Sequence, residues 1–441
     1  MMTQDEARKL VEKILSFSKF PDCSVGLDAS EEAYVRFANN GITTSAFTVE
    51  RNITIASTRD RKTGVVQTNE TDDAALRAAV ARSEQLAEIA PANPEYMEPL
   101  GLQQYPKVDN WDESTAAARS PVMIPHVRAV IDAASSKKLV AAGFIQRTAR
   151  VSVIANKRGN FGYHRGADAR LSTTIRAADG SSSGWAGHPT ARIGEINGAL
   201  LGETAVQKCL QWSKPQRLEP GQYTVVLEPT AVSDLCASLG FSFSARNAEE
   251  GRSFLSKKGG GTQLGEKLFP EHISLISDPL DRRYSGPPWS FSGLPDRRIP
   301  WIEKGVIRNL SYDRYWASKT GKEPTPSPSS LILEGGDVSL EDLIRATERG
   351  LLVTRFWYIR SVNPQTMQAT GLTRDGLFLI ENDKVTTPVM NFRFNESPVR
   401  MLQNAQRLGR PVRCRGGEGG GMIAPAIQAA NFTFSSISDA V

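Results

Sequence analysis

Hydrophobic positions at Ala7, Leu10, Val11, Ile14 and Leu15 recur three and four apart, which predicts an amphipathic helix over 4–18. Alternating apolar residues then predict short strands at 23–27, 33–37 and 52–57, and the turn DRKTG (60–64) leads into another at 65–68. TDDA (71–74) has the acids of a first helical turn, and 74–89 carries helical periodicity. From Ala90 to about residue 112 the chain is rich in proline and polar residues and reads as a linker.

A second stretch begins near Trp111, with a helix at 121–135 that contains Pro125. Residues 139–190 read as a β-meander with a turn at NKRGN (156–160). Helical spacing resumes over 193–212, with Leu200, Leu201, Val206 and Leu210 as core candidates. Beyond 215–221 a third stretch opens with a strand at 223–227 and a helix at 230–240. In that helix Val232, Leu235 and Leu239 are expected to face a core. EKG (303–305) and ENDK (381–384) read as hairpin turns. Ser339 and Asp342 form a capping-box pair for a helix over 340–349, with Gly350 as its C-terminal stop. The pattern predicts an α+β fold, with N-terminal α/β units at 1–105 and 111–215 and a larger, mixed, β-rich unit at 220–441.

The 441 residues are 40% hydrophobic and 23% charged, ordinary for a globular chain. A net charge of +5 spread over this length makes a nucleic-acid partner unlikely on charge grounds, since such partners call for a concentrated basic face. The first residues, MMTQDEARKL, are polar, and no apolar run of about 18 residues occurs, so neither a signal peptide nor a membrane span is expected. Cys23, Cys209, Cys236 and Cys414 lie far apart, which fits reduced thiols and a cytoplasmic location.

Candidate chemistry is sparse. His126, His164, His188 and His272 include no closely spaced metal pair. GSSSG (180–184) matches the hydrolase elbow around Ser182 but sits in a Ser/Gly-rich β connection, where a solvated hairpin loop is expected. Neither glycine cluster, 259–261 or 416–421, contains the GK[ST] of a phosphate-binding loop. Glycine-rich backbone in the second cluster can approach a peptide closely, which makes Cys414, Gly416, Gly417 and Gly419 candidate substrate-binding residues. Arg410, Arg413 and Arg415 would lower the Cys414 pKa if they stood near its thiol. Trp289, Trp357 and Tyr358 are candidate interface residues in an aromatic-rich region.

The chain carries the blocks GQYTVVLEP (221–229), IEKGVIRNL (302–310), PSPSSLIL (326–333), GLLVT (350–354) and DGLFLIENDKV (375–385) in this order. Together they resemble the TldD/PmbA family, once called modulators of DNA gyrase. In the TldD branch, the resemblance implies, an HExxxH segment and a later cysteine bind zinc, and the glutamate activates water. The corresponding stretch here is LEPTAVSDLCASLG (227–240). It places Asp234 and Leu239 at the two histidine positions and Leu235 at the glutamate position, with Cys414 resembling the late cysteine. Leucine offers neither a lone pair for a metal nor an ionisable group for a proton. The pattern is similar to the TldE branch, which lacks the motif.

That resemblance implies a metal-free subunit that binds no cofactor and shapes the substrate chamber of a zinc-bearing TldD-like partner. The assembly would be a heterodimer, or a homodimer when the chain is alone, and its substrates unfolded or small modified peptides. Two alternatives stay open: a hydrolase with its own non-standard metal or thiol centre, and a non-enzymatic regulator.

Overall fold

One antiparallel sheet carries the first half of the chain. In this computed structural model, whose described residues are 1–416 and 421–438, the first elements are α1 (Gln4–Phe17), β1 (Asp22–Ala38), β2 (Gly41–Arg59), β3 (Lys62–Thr68) and α2 (Asp73–Ile89). They are followed by α3 (Glu113–Ala117), α4 (Ser120–Ser136), β4 (Leu139–Asn156), β5 (Phe161–Ala177), β6 (Ser183–Thr190) and α5 (Gly198–Gln211). The strand order is β3-β2-β1-β4-β5-β6. Because β1 and β4 pair side by side, the stretches before and after the 90–112 connection share this sheet.

The strands are longer than the short segments that alternation predicts. In β1, the residues Cys23, Val25, Leu27, Ala29, Ala33, Val35 and Phe37 form one buried row. Glu31 interrupts that row with a carboxylate, which is why the sequence reads as two strands. The carboxylate is held by Arg119 at 3.4 Å and Arg147 at 3.8 Å. Arg147 is fully buried, and its Nε donates to the Ala118 carbonyl at 2.8 Å. On one side of this pair α1 and α2 cover the sheet through Val11, Ile14, Leu76 and Val80. On the other side α4 and α5 cover it through Met123, Val127, Val130 and Val206. Thr3 and Glu6 form a capping box for α1, and Asp72 caps α2.

Helix α5 differs from expectation. Leu200 and Leu210 are exposed, and the buried face is Gly198, Gly202, Ala205, Val206 and Cys209. Small residues let α5 approach α4 closely: a Cβ on Gly198 would stand 2.4 Å from the His126 carbonyl oxygen.

The second half continues with β7 (Gly221–Leu227), α6 (Pro229–Cys236), a 3₁₀ segment (Ala237–Phe243), α7 (Ala245–Glu249), β8 (Leu275–Ser277), β9 (Ile299–Glu303) and β10 (Val306–Ile307). Next come α8 (Arg314–Thr320), β11 (Leu331–Leu333), α9 (Leu340–Arg345), β12 (Arg349–Asn363), β13 (Gln368–Glu381), β14 (Lys384–Pro388) and β15 (Phe392–Glu396). The last are α10 (Pro398–Gln403), β16 (Ala405–Leu408), β17 (Val412–Cys414), β18 (Met422–Ala424) and β19 (Ile427–Ile437). One sheet runs β12-β7-β19-β15-β13-β14, and β12 also pairs with β13, so strands β12, β7, β19, β15 and β13 close into a ring. Phe356, Phe392, Phe394, Phe432 and Phe434 fill its core, with Phe356 stacked on Phe432 at 5.6 Å. A second sheet runs β10-β9-β8-β11-β18-β17.

The capping box at Ser339 and Asp342 is present, but the helix ends at Arg345. Gly350 is not a helix stop. It lies in β12, pressed so close to β7 that a Cβ would meet the Thr224 carbonyl oxygen at 2.7 Å. The whole is an α+β fold with a β-rich C-terminal half. Among the described residues, no helix is long and apolar enough to cross a membrane.

Candidate functional site

Strand β7 leaves the ring and turns directly into α6, with Pro229 at the first helical position, where its missing N–H costs nothing. Every residue from Thr230 to Cys236 is buried. The sequence predicts a regular helix over 230–240, but the α-helix ends at Cys236 and tightens into 3₁₀ geometry through Phe243. Leu235, Leu239 and Phe243 all enter the core around Trp301. The tightening therefore needs no metal: it accompanies the burial of these three apolar side chains.

Asp234 lies on the other side of α6 and lines a groove of about 590 Å³ with Ser238, Phe241, Arg252, Met367 and Met422. Its Oδ2 accepts the Phe356 backbone N–H at 3.3 Å. The Cα of Gly416 packs against the same carboxylate, since a Cβ there would stand 1.7 Å from Oδ1. Cys414 is close by on β17, its thiol directed at the Pro229 carbonyl at 3.2 Å. Burial pushes the Cys414 thiol up to about 12, and the Asp234 charge adds to the rise while Ser233 opposes it. Burial, and not the charge of Arg410, Arg413 or Arg415, sets the direction of the shift. Gly417 and Gly419 lie outside the described residues.

The other candidates separate. His272 Nε2 sits 3.0 Å from the Ala405 carbonyl oxygen. Ser182 is in the β5–β6 hairpin, but it is buried rather than solvated and hydrogen-bonds Cys209 at 3.3 Å, which removes it as a nucleophile. Trp289 is buried within the chain, 5.0 Å from the Tyr105 ring, so its surface is taken up internally. Trp357 has the Arg374 guanidinium 5.0 Å and the Arg355 guanidinium 5.8 Å from its ring, and Tyr358 is exposed.

The sequence pattern missed Arg170, Arg176 and Arg355, and placed Arg415 only beside Cys414; all four line one cavity between β5, β6 and the C-terminal half. No local signal links them, because they come from three distant stretches of chain.

This architecture defines a class. Residues 220–436 match the PmbA/TldA metallopeptidase C-terminal domain, and residues 23–87 match domain 1 of the same family. The chain belongs to the PmbA/TldD metallopeptidase family. It is similar to a protein described as a metalloprotease from Methanothermobacter thermautotrophicus, 24% identical over 230 residues. That match spans 48% of each chain, about half the length of the relative. In fold it is similar to TldE from Thermococcus kodakarensis, with a TM-score of 0.85 at 20% identity, covering 97% of this chain and 99% of that one. A protein from Thermotoga maritima described as a candidate modulator of a DNA gyrase gives a TM-score of 0.84 at 17% identity, covering 97% and 100%.

A metallopeptidase family implies zinc, but the residues at this position do not fit it. Leu235 and Leu239 are core residues without donor atoms, and the Cys414 thiol is a buried hydrogen-bond donor rather than a thiolate. Among the described residues no three His, Cys, Asp or Glu side chains converge so as to hold a metal ion. No hydrolytic step is assigned to this chain.

Proposed function

We propose that the chain is a TldE-like, metal-free subunit of a TldD/TldE-type zinc peptidase. It pairs with a zinc-bearing TldD-like partner, and the α6 groove helps to hold unfolded or small modified peptides for that partner to cleave. The observation that carries this reading is the burial of Leu235 and Leu239 where the active branch needs a base and a ligand. The raised Cys414 pKa weighs against an independent thiol centre. Four free, buried cysteines support a reducing, cytoplasmic setting.

The test is elemental analysis and peptide hydrolysis by the purified chain, alone and mixed with a TldD-type partner. Substoichiometric zinc, no hydrolysis alone and a heterodimer by light scattering are expected. About one tightly held zinc per chain, or a strictly monomeric mass unchanged by the partner, overturns the reading.

A further inference from the structure

Between the N-terminal sheet and the C-terminal half lies a chamber of about 770 Å³. Arg170 and Arg176 of β5, Arg355 of β12, and Arg415 just after β17 line it, together with His188, Trp185 and Phe144. Among the described residues that line it there is no carboxylate. Asp375 neutralises Arg355 from behind, with Oδ2 accepting from Nε at 2.7 Å, and it also stands 3.9 Å from Arg374. The Arg355 guanidinium is further fixed over the Trp185 ring at 5.2 Å. Arg170 is braced by the Gln146 amide oxygen at 3.1 Å. Arg176 and Arg415 are exposed and make no ion pair among the described residues.

Like charges held together in a cavity are a standing cost unless an anion offsets them. That cost is visible at Arg170, whose guanidinium is made less basic by burial and then by the charge of Arg415, with Asp168 and Glu32 opposing the shift only in part. Planar guanidiniums present paired N–H groups that match two-oxygen acceptors, and aromatic walls suit the carbon chain behind such a group. Gly416 lines the chamber while its Cα abuts Asp234, which lines the α6 groove. The groove and the chamber therefore back onto each other through the Gly416–Asp234 contact.

We propose that this chamber is a carboxylate-binding site and takes the acidic side chain or C-terminus of a peptide. The peptide part rests on the proposed function; the anion part rests on the arginines alone.

The test is fluorescence anisotropy on the full chain with a labelled tri-glutamate peptide, its tri-glutamine amide counterpart as neutral control, and inorganic phosphate as competitor. The tri-glutamate peptide should bind at least roughly tenfold more tightly than the neutral one, and the difference should shrink as salt rises. Arg176→Ala with Arg415→Ala should weaken it roughly tenfold, Arg176→Lys with Arg415→Lys less, and Arg82→Ala on α2 not at all. Unchanged melting of the exposed double variant shows that it is folded. Equal binding of charged and neutral peptides, or indifference to both arginines, overturns the proposal. So does phosphate binding that depends on the arginines while the peptide does not bind. These readouts involve neither zinc nor hydrolysis, so a failure here is separate from a failure of the subunit assignment.

Discussion

The Cα of Gly416 rests against the carboxylate of Asp234, at a distance that leaves no room for a side chain. The contact joins the segment after β17 to α6, and it fixes the wall between the groove and the arginine chamber. A methyl group at 416 must displace a short, buried carboxylate that already accepts the Phe356 N–H. Gly416→Ala is expected to lose about 1–3 kcal/mol of stability, as overpacking does. Asp234→Ala should relieve part of that loss, giving a non-additive cycle in denaturant titration. Additive losses would show that the contact is not tight.

The thiols provide a second prediction. All four cysteines are free and buried, and Cys414 in particular is held far from thiolate at neutral pH. A thiol reagent at pH 8 should label none of the four quickly in the native chain and all four in denaturant. Rapid native labelling of Cys414 would restore the arginine-activated thiol that its neighbours in sequence suggest.

Much of the N-terminal half was legible because its signals are local. The capping residues Thr3 and Asp72, the turns at 60–64 and 156–160, and the periodicity of α1, α2 and α4 act within a few residues. Glu31 misled because its partners Arg119 and Arg147 are far along the chain, so a satisfied carboxylate in a core row looks like a break. Closure of the ring by β12 and β13 and the convergence of Arg170, Arg176, Arg355 and Arg415 depend on tertiary contacts with no sequence period. At α6 the lack of donor atoms at 235 and 239 was legible from the residue types, but the tightening after Cys236 was invisible, since it follows from what Leu239 and Phe243 meet in the core.

Stability should also depend on pH through Asp296. This residue is buried, and its Oδ1 has no hydrogen-bond partner among the described residues, while Oδ2 accepts from Ser329 at 2.8 Å. Burial raises its pKa to about 6, with Ser329 opposing the shift. The folded chain therefore holds this proton more tightly than the unfolded chain does. The stabilisation is complete below the ordinary aspartate range near pH 4 and is lost as pH rises through about 6. The swing is on the order of 3 kcal/mol, and Asp296→Asn should flatten it. Denaturant midpoints from pH 4 to 7.5 for both proteins provide the check; parallel curves would show that Asp296 does not contribute.

The last prediction concerns α6 itself. If Asp234, Leu235 and Leu239 merely replaced lost catalytic groups, then Asp234→His with Leu235→Glu and Leu239→His would restore a zinc site beside Cys414. The structure argues otherwise. Leu235 and Leu239 lie in the same core as Phe243 and Trp301, on the side of α6 away from the groove that Asp234 lines. A glutamate and a histidine at these positions would be buried among apolar side chains. Each lost leucine should cost about 2–5 kcal/mol, before the cost of burying polar groups is added. A zinc site also needs hydrogen-bond acceptors to orient each histidine, and the side chains of Phe243 and Trp301, in the same core as Leu239, offer none. The triple variant is expected to melt well below the parent, to retain no zinc after dialysis and to cleave no peptide. Calorimetry and elemental analysis decide the matter: a stable, zinc-loaded, proteolytic variant would show a complete peptidase chamber that had lost only its ligands.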